Sequence, residues 1–424
     1  MSCDRFPWLR RASQCLKTLS LKTLSLKTLS LKTLVSSLLA IALLGGCALP
    51  QVSAQERLFL DVSVDLVGST ILPKQSFEGE PVGGISAIAY DIPRDRLYAL
   101  SDSRDRPRFY TLTLKNLTDP RLTVESVTYL KDAQGNPYAP GSLDPEGMAL
   151  TPSNTLLIAS EGSPKRQIAA AVGEYDLATG QLKTAIPIPE RYLSDNLLNQ
   201  TTATAGSENA AEEAVEDMLE QTQGVQENLS FEALAINVSS GTGGIYEPYR
   251  LFVATEGPLL QDLDFAPEIP YKNRLLHYTL DQYQTTFISE HLYEMDLAPS
   301  GAVLHGLSEI AVLDQGGHFL GLERSYGFQG FALKLYQLAS GGATDISAIA
   351  SLRNDSGIDP SGIQPIRKQL VLDFTSLPTP LQNYEAMTFG PTLPGGHESL
   401  LVMSDDNFID EQETSLLVFQ LNRP

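Results

Sequence analysis

Cysteine is nearly absent: the 424 residues hold three, Cys3, Cys15 and Cys47, all near the start. No disulfide can cross-link the rest of the chain, so its stability has to come from a packed core. Long apolar runs are missing as well. The one candidate, from Leu34 to Leu44, is too short to span a bilayer and has the length of a signal-peptide core. Basic residues are scarce beyond it. Of 30 Lys and Arg, seven lie within residues 1–46 beside a single acid, which leaves 23 against 50 in the remainder. Such a charge repels phosphate backbones and anionic lipid surfaces, and so argues against nucleic-acid binding. Familiar catalytic signatures are also lacking. There is no Gly-x-Ser-x-Gly elbow, no Arg-His-Gly motif, no EF-hand loop, no helical His pair and no Cys cluster. The histidines fall in strand or turn contexts, and His277 and His291 read as half-buried strand positions.

The first segment reads as an address. Arg5, Arg10, Arg11, Lys17, Lys22, Lys27 and Lys32 precede the apolar run, several within a repeated Ser-Leu-Lys-Thr-Leu tract. Two exits follow. Leu44-Gly-Gly-Cys47 has the form of a lipobox, in which Cys47 would be lipidated, and Val52-Ser-Ala54 is an ordinary cleavage site. Either way the expectation is a signal peptide over residues 1–46 (or to 54) and a periplasmic or secreted protein. A lipid on Cys47 would be its only membrane contact.

What the chain has in abundance is one repeated plan: a short apolar strand led by a small or acidic residue, a turn, and a second apolar strand ending on Asp or Glu. Leu143-Asp-Pro-Glu-Gly-Met-Ala leads to Leu157-Ile-Ala-Ser-Glu161, and Leu229-Ser-Phe-Glu-Ala-Leu leads to Leu251-Phe-Val-Ala-Thr-Glu256. Gly84-Ile-Ser-Ala-Ile, Leu307-Ser-Glu-Ile and Asn383-Tyr-Glu-Ala-Met open three further copies, which close on Asp102, Glu323 and Asp405. Two more strand-like runs follow each pair except the last, which has one, and an orphan alternating strand at 57–67 precedes the first. Four strands per unit, one missing at the end and one spare at the start, predict an all-β fold. The expected form is a single β-propeller whose N-terminal strand completes the last blade. Five repeats are counted, over a domain from 57 to 424. Their starts are 60 to 86 residues apart, against roughly 40–50 for compact propeller repeats, which leaves room for a sixth blade. Insertions at 194–227, with an acidic helix expected over 208–221, and at 339–366 account for the excess and are expected to add little core.

In a propeller the first strand of each blade lines the central channel, so equivalent positions form rings. The repeats put Ser86, Glu146, Glu232, Glu309 and Glu385 in one ring, and Asp102, Glu161, Glu256, Glu323 and Asp405, with Asp406 and Asn407, in another. Antiparallel pairing brings both to the same mouth. Clustered carboxylates raise one another's pKa and call for compensation, and Arg324 is the one evident internal counter-charge. A hard cation answers the need, with Ca²⁺ suiting an all-oxygen donor set better than zinc. The alternative is that each acid ties strand ends together by accepting backbone N–H bonds.

Four of these stretches are familiar together. Asn228-Leu-Ser-Phe-Glu-Ala-Leu, Glu256-Gly-Pro-Leu-Leu-Gln-Asp262, Ser308-Glu-Ile with Leu322-Glu-Arg324, and Asn383-Tyr-Glu-Ala-Met with Ser404-Asp-Asp-Asn-Phe408 resemble the phytase-like family known for "esterase-like activity of phytase". The resemblance runs from about residue 83 onward. It implies a β-propeller acting as a phosphoester hydrolase, with site residues at the matching positions. Glu232, Glu309, Glu385 and Arg324 are the catalytic set so implied. Glu146, Glu161, Glu256, Glu323, Asp102, Asp405 and Asp406 are the metal set. The expected reaction is Ca²⁺-assisted attack of water on a small phosphoester by a monomer. A non-catalytic propeller that binds a ligand or partner, with structural cations, is the alternative.

Overall fold

The computed structural model describes residues 58–202, 221–238, 247–266, 268–354, 356 and 362–423. The proposed signal peptide, Cys47 and most of the expected helix at 208–221 lie outside the described residues. From Ser63 on, five four-stranded antiparallel sheets follow one another. Blade 1 comprises Ile85–Asp91, Arg96–Ser101, Arg108–Lys115 and Arg121–Tyr129, and blade 2 comprises Pro145–Leu150, Thr155–Ser160, Ala171–Asp176 and Leu182–Ile186. Blade 3 is Phe231–Val238, Tyr249–Thr255, Lys272–Leu280 and Thr285–Glu294; blade 4 is Ala302–Val312, His318–Gly327, Gly330–Ala339 and Arg367–Asp373. Blade 5 takes Asn383–Phe389, Glu398–Asp405 and Thr414–Asn422 from the end of the chain and Ser63–Leu72 from its beginning. The first strands of the blades touch in a closed cycle, 1 to 2 to 3 to 4 to 5 and back to 1, which makes a five-bladed propeller with no sixth blade among the described residues.

Side-chain pattern follows position in the blade. Every residue of Ile85–Asp91 is buried, because an inner strand has another blade on each face. Alternation returns at the outer strands, as in Ser63–Leu72 and the first half of Thr285–Glu294, where one face meets water. Small groups are buried along the inner strands, among them Ala87, Ala149, Ala233 and Ala386. The core is accordingly not one mass but five wedges. Ile88 and Leu97 of blade 1 pack with Met403 and Leu416 of blade 5, and Leu100 packs with Met148 and Ile158 of blade 2. Leu157 meets Leu234 and Val253 between blades 2 and 3; Phe252 meets Ile310 and Phe319 between 3 and 4; Leu322 meets Val402 and Leu417 between 4 and 5.

The insertions do more than expected. Ile346 and Leu352 are buried against Leu292 of blade 3, so the 339–366 excursion brings its own small core. It is also pinned by a buried polar network. Arg274 grips Asp262 through two bonds of 2.6 and 3.0 Å, lies 3.3 Å from Glu290, and donates to the Ile349 carbonyl. Tyr192, just ahead of the first insertion, and Val225, near its end, are buried in the wedge between blades 2 and 3. Few large apolar residues mark either segment in sequence, yet these few are placed where a blade face would otherwise be open.

Candidate functional site

Each inner strand is interrupted by a bulge opposite the end of the second strand. The extra residue is Ser86 in blade 1, Glu232 in blade 3, Ser308 in blade 4 and Glu385 in blade 5, and Glu146 with Gly147 spans the same step in blade 2. A bulge leaves a residue unpaired and re-aims its side chain. Here it turns Glu146, Glu232 and Glu385 into the mouth of the channel. The second strands supply the facing set. Ser101, Ser160, Thr255, Glu323 and Ser404 pair with the residue just before each bulge, and the next residue in each is Asp102, Glu161, Glu256, Arg324 and Asp405.

Blade 4 is therefore out of step with the reading from sequence. Its bulge residue is Ser308, not Glu309, and Arg324, not Glu323, takes the place filled by an acid in the other four blades. Since strand side chains alternate faces, a slip of one residue sends both acids elsewhere. Glu309 is buried and accepts N–H bonds from Leu234 at 3.2 Å and Ile310 at 2.9 Å. Glu323 turns outward to the Tyr293 hydroxyl at 2.7 Å and Lys368 at 2.5 Å. Neither lines the cavity at the mouth, and Asp406 does not either: its carboxylate caps the N–H groups of Gly84 at 2.8 Å and Phe408 at 3.1 Å.

That cavity has a volume of ≈ 360 Å³ and draws seven carboxylates together: Asp102, Glu146, Glu161, Glu232, Glu256, Glu385 and Asp405. Three overlapping groups, Asp144/Glu146/Glu161, Glu146/Glu232/Glu385 and Glu161/Glu232/Glu256, each offer oxygens within 4.8 Å of one another. Arg324 lies among the last two groups. It donates to Glu256 at 2.7 Å and Asn383 at 3.0 Å, pairs with Glu385, and stands 3.8 Å from Glu232. Room for this comes from Gly306, where a Cβ would stand 2.2 Å from Glu256 Cγ. A second base, Arg104, enters from blade 1 and donates to Asp144 at 2.7 Å and Asn228 at 3.1 Å.

The family model described as "Esterase-like activity of phytase" matches residues 80–408, nearly the whole ring. The chain belongs to this phytase-like family. No curated protein sequence matches the chain. Among solved structures, the phytase-like propeller is similar to the endo-arabinase from Bacteroides thetaiotaomicron, at 11% identity and a TM-score of 0.41 over 79% of this chain and 93% of that one. A catalytic domain of the Coprinopsis cinerea GH62 α-L-arabinofuranosidase gives 11% identity and 0.40 over 85% and 97%. The Neurospora crassa Pan2 WD40 domain gives 8% and 0.30 over 84% and 95%.

Electrostatics of the phytase-like mouth are those of crowded, dehydrated acids. Burial first, and then the neighbouring carboxylates, push Glu146, Glu232 and Asp102 well above the usual range, with Arg324 partly opposing this at Glu232. Glu161 rises to about 8 through burial and Glu256, against one bond from the Ser230 N–H at 2.8 Å. Asp405 rises to about 6, burial outweighing the N–H of Asn407. Two arginines cannot neutralise this set. The donors are oxygens throughout, and Asp102 Oδ1 is buried without a hydrogen-bond partner. Such a set fits a hard cation such as Ca²⁺ and not a thiophilic metal. Sequence reasoning missed Asp144 and Arg104. Asp144 had a signal, for it precedes Glu146 by two residues in Asp-Pro-Glu, the same-face spacing of a strand.

Membership of this family fits a hydrolase. The histidines take no part in the mouth: none lines the cavity. His277 stacks on Phe252 at 4.7 Å and is lowered to about 4 by burial, so it is neutral at pH 7.

Proposed function

We propose that this protein is an extracytoplasmic phosphoester hydrolase in which the acidic mouth holds Ca²⁺ and directs water at a small phosphoester. The observation that carries this reading is the trio of overlapping carboxylate groups around one ≈ 360 Å³ cavity in a phytase-like propeller. Asp144, Glu146 and Glu161 are the proposed ligands: Arg324 engages Glu256 and Glu385 in the other two groups and stands 3.8 Å from Glu232, while in this group only Asp144 is held by a base, the part-exposed Arg104. Bound there, Ca²⁺ supplies charge that ionises the acids and polarises a phosphoryl oxygen. Arg324 is fixed in place by Glu256 and Asn383 and presents its charge beside Glu232. Glu232 is the proposed base: it takes a proton from water as the oxygen adds to phosphorus, the P–O ester bond breaks, and the departing alkoxide takes up a proton from bulk water. General-base help of this kind contributes about 10²–10⁴ in rate.

Purified protein, stripped with EDTA and then supplied with Ca²⁺, tests this on p-nitrophenyl phosphate, the bis-ester and phytate. Release of phosphate or nitrophenol only with Ca²⁺, and its loss in Glu232→Gln, is the expected result. No hydrolysis of any of the three under either condition overturns it. One observation favours a second reading. Arg324 has its donors committed to Glu256, Asn383 and Glu385, which is how a structural cation bridge is built. In that case the propeller binds a ligand without turnover.

A further inference from the structure

Four blades stop at the rim and one does not. The inner strands of blades 1, 2 and 3 begin one residue before their bulge, and that of blade 5 begins two before. Blade 4 starts at Ala302, six residues before Ser308, and its second strand continues past Arg324 to Gly327, where it turns back through the Gly327 and Gly330 pair. At about 3.3 Å per residue, the additional four or five residues carry this hairpin roughly 15 Å beyond its neighbours. A second bulge, between Ala302 and Leu304, twists its tip.

The projection is apolar where an exposed hairpin would be polar. Phe328 at the turn is 93% exposed, Val303 69%, Tyr326 42% and Leu304 41%. Tyr326 and Phe331 lie side by side, ring centres 4.7 Å apart at 38°. Strand alternation puts Leu304 on the same face as Gly306 and Ser308, which look to the axis. Leu304, Tyr326 and Phe331 thus form one wall of the carboxylate cavity, with Ile409, itself 42% exposed, completing it from the loop of blade 5. Phe331 also packs on the wedge between blades 4 and 5, whereas Leu304 and Tyr326 remain 41% and 42% exposed. Exposed apolar area costs about 25 cal/mol per Å² and marks a binding surface when it is contiguous and edged by polar groups.

We propose that the substrate is an amphipathic ester, with its hydrolysable group among the carboxylates and Arg324 and a ring-sized apolar group against Leu304, Tyr326 and Phe331. This rests on reading the mouth as a hydrolase site. Inositol polyphosphates, charged on every side, are then poor substrates, and aryl phosphates are good ones.

The test compares the wild type with Leu304→Ser/Tyr326→Ser in the presence of Ca²⁺. Both positions are half-exposed, and an unchanged melting temperature checks folding. The expected result is a KM for p-nitrophenyl phosphate raised about 5–10-fold relative to the KM for glycerol phosphate in the same protein. Calorimetric binding of phenylphosphonate against methylphosphonate, which needs no turnover, is the second arm: the wild type binds the aryl compound at least ten-fold tighter, and the variant loses that margin. Equal binding of the two phosphonates, or phytate preferred over the aryl ester, overturns the inference and leaves the hydrolase reading standing. Aryl preference in binding without hydrolysis of any ester removes the hydrolase and upholds the apolar subsite.

Discussion

Arg324 stands in blade 4 where Glu256 stands in blade 3, and the two side chains meet, Nη2 to Oε1, at 2.7 Å. The ring thus carries a tethered cation at one of its five acid positions. Arg324→Gln removes it while Glu232, Glu256 and Glu385 stay buried. Breaking a buried pair in this way costs about 3–5 kcal/mol. Denaturant titration in EDTA should show that loss, and Ca²⁺ should recover part of it. Equal stability of variant and wild type in EDTA would mean that the guanidinium balances nothing.

The raised acids give the cation-free protein an unusual pH dependence. Glu161 titrates near 8 and Asp405 near 6 in the fold, whereas in the unfolded chain both ionise near the ordinary carboxyl range. The folded state therefore binds more protons, and stability rises as pH falls from about 8 toward about 4.5, the reverse of ordinary acid unfolding. Melting temperatures in EDTA across pH 5 to 9 check the sign. Added Ca²⁺ should flatten the curve, with its largest gain at the alkaline end. A cation-free protein most stable at pH 9 contradicts the crowding.

Glu309 separates structure from chemistry. It is held well above the usual carboxyl range by burial, despite N–H bonds from Ile310, Leu234 and Met387. Glu309→Gln, a near-isostere of the neutral acid, should keep both stability and Ca²⁺ response. Glu309→Ala leaves those N–H groups without an acceptor, at about 1–3 kcal/mol each, and should lower the melting temperature sharply while the Ca²⁺ affinity of the folded protein is unchanged. An abolished Ca²⁺ response in Glu309→Gln would show that this residue, expected in the catalytic set, takes part in holding the cation.

Removing the chain up to Leu72 strips the outer strand from Thr414–Asn422. The exposed edge, and the apolar surface that Val64 and Leu66 cover on the wedge between blades 4 and 5, should make the truncated protein aggregate. Size-exclusion chromatography decides it: a monomer with native melting temperature shows that the strand is dispensable.

Much of this was legible in the residues. Acid-tipped strand pairs, an orphan first strand and a deficit of one strand at the end require a closed ring, and closure follows from the need to pair edges. The five-fold count and the convergence of Glu146, Glu232 and Glu385 with Asp102, Glu161, Glu256 and Asp405 were readable for the same reason. What was hidden is set by a single bulge. Ser308-Glu309 and Glu323-Arg324 offer two acids that align by letter with the other copies, but the extra residue in blade 4 moves the ring positions to Ser308 and Arg324. No local propensity distinguishes those registers; packing against the neighbouring blades does. Arg104 was hidden differently, because it approaches Asp144 across a boundary between blades.

The pairing of Ser63–Leu72 with Thr414–Asn422 also bears on how the molecule is born. Ser63 is made first, and its partner Asn422 comes 359 positions later. At roughly 5–20 residues per second, the first strand waits about 20 to 70 s for the last. Throughout that interval the nascent ring has no clasp, and its final blade cannot assemble until Asn422 has left the ribosome.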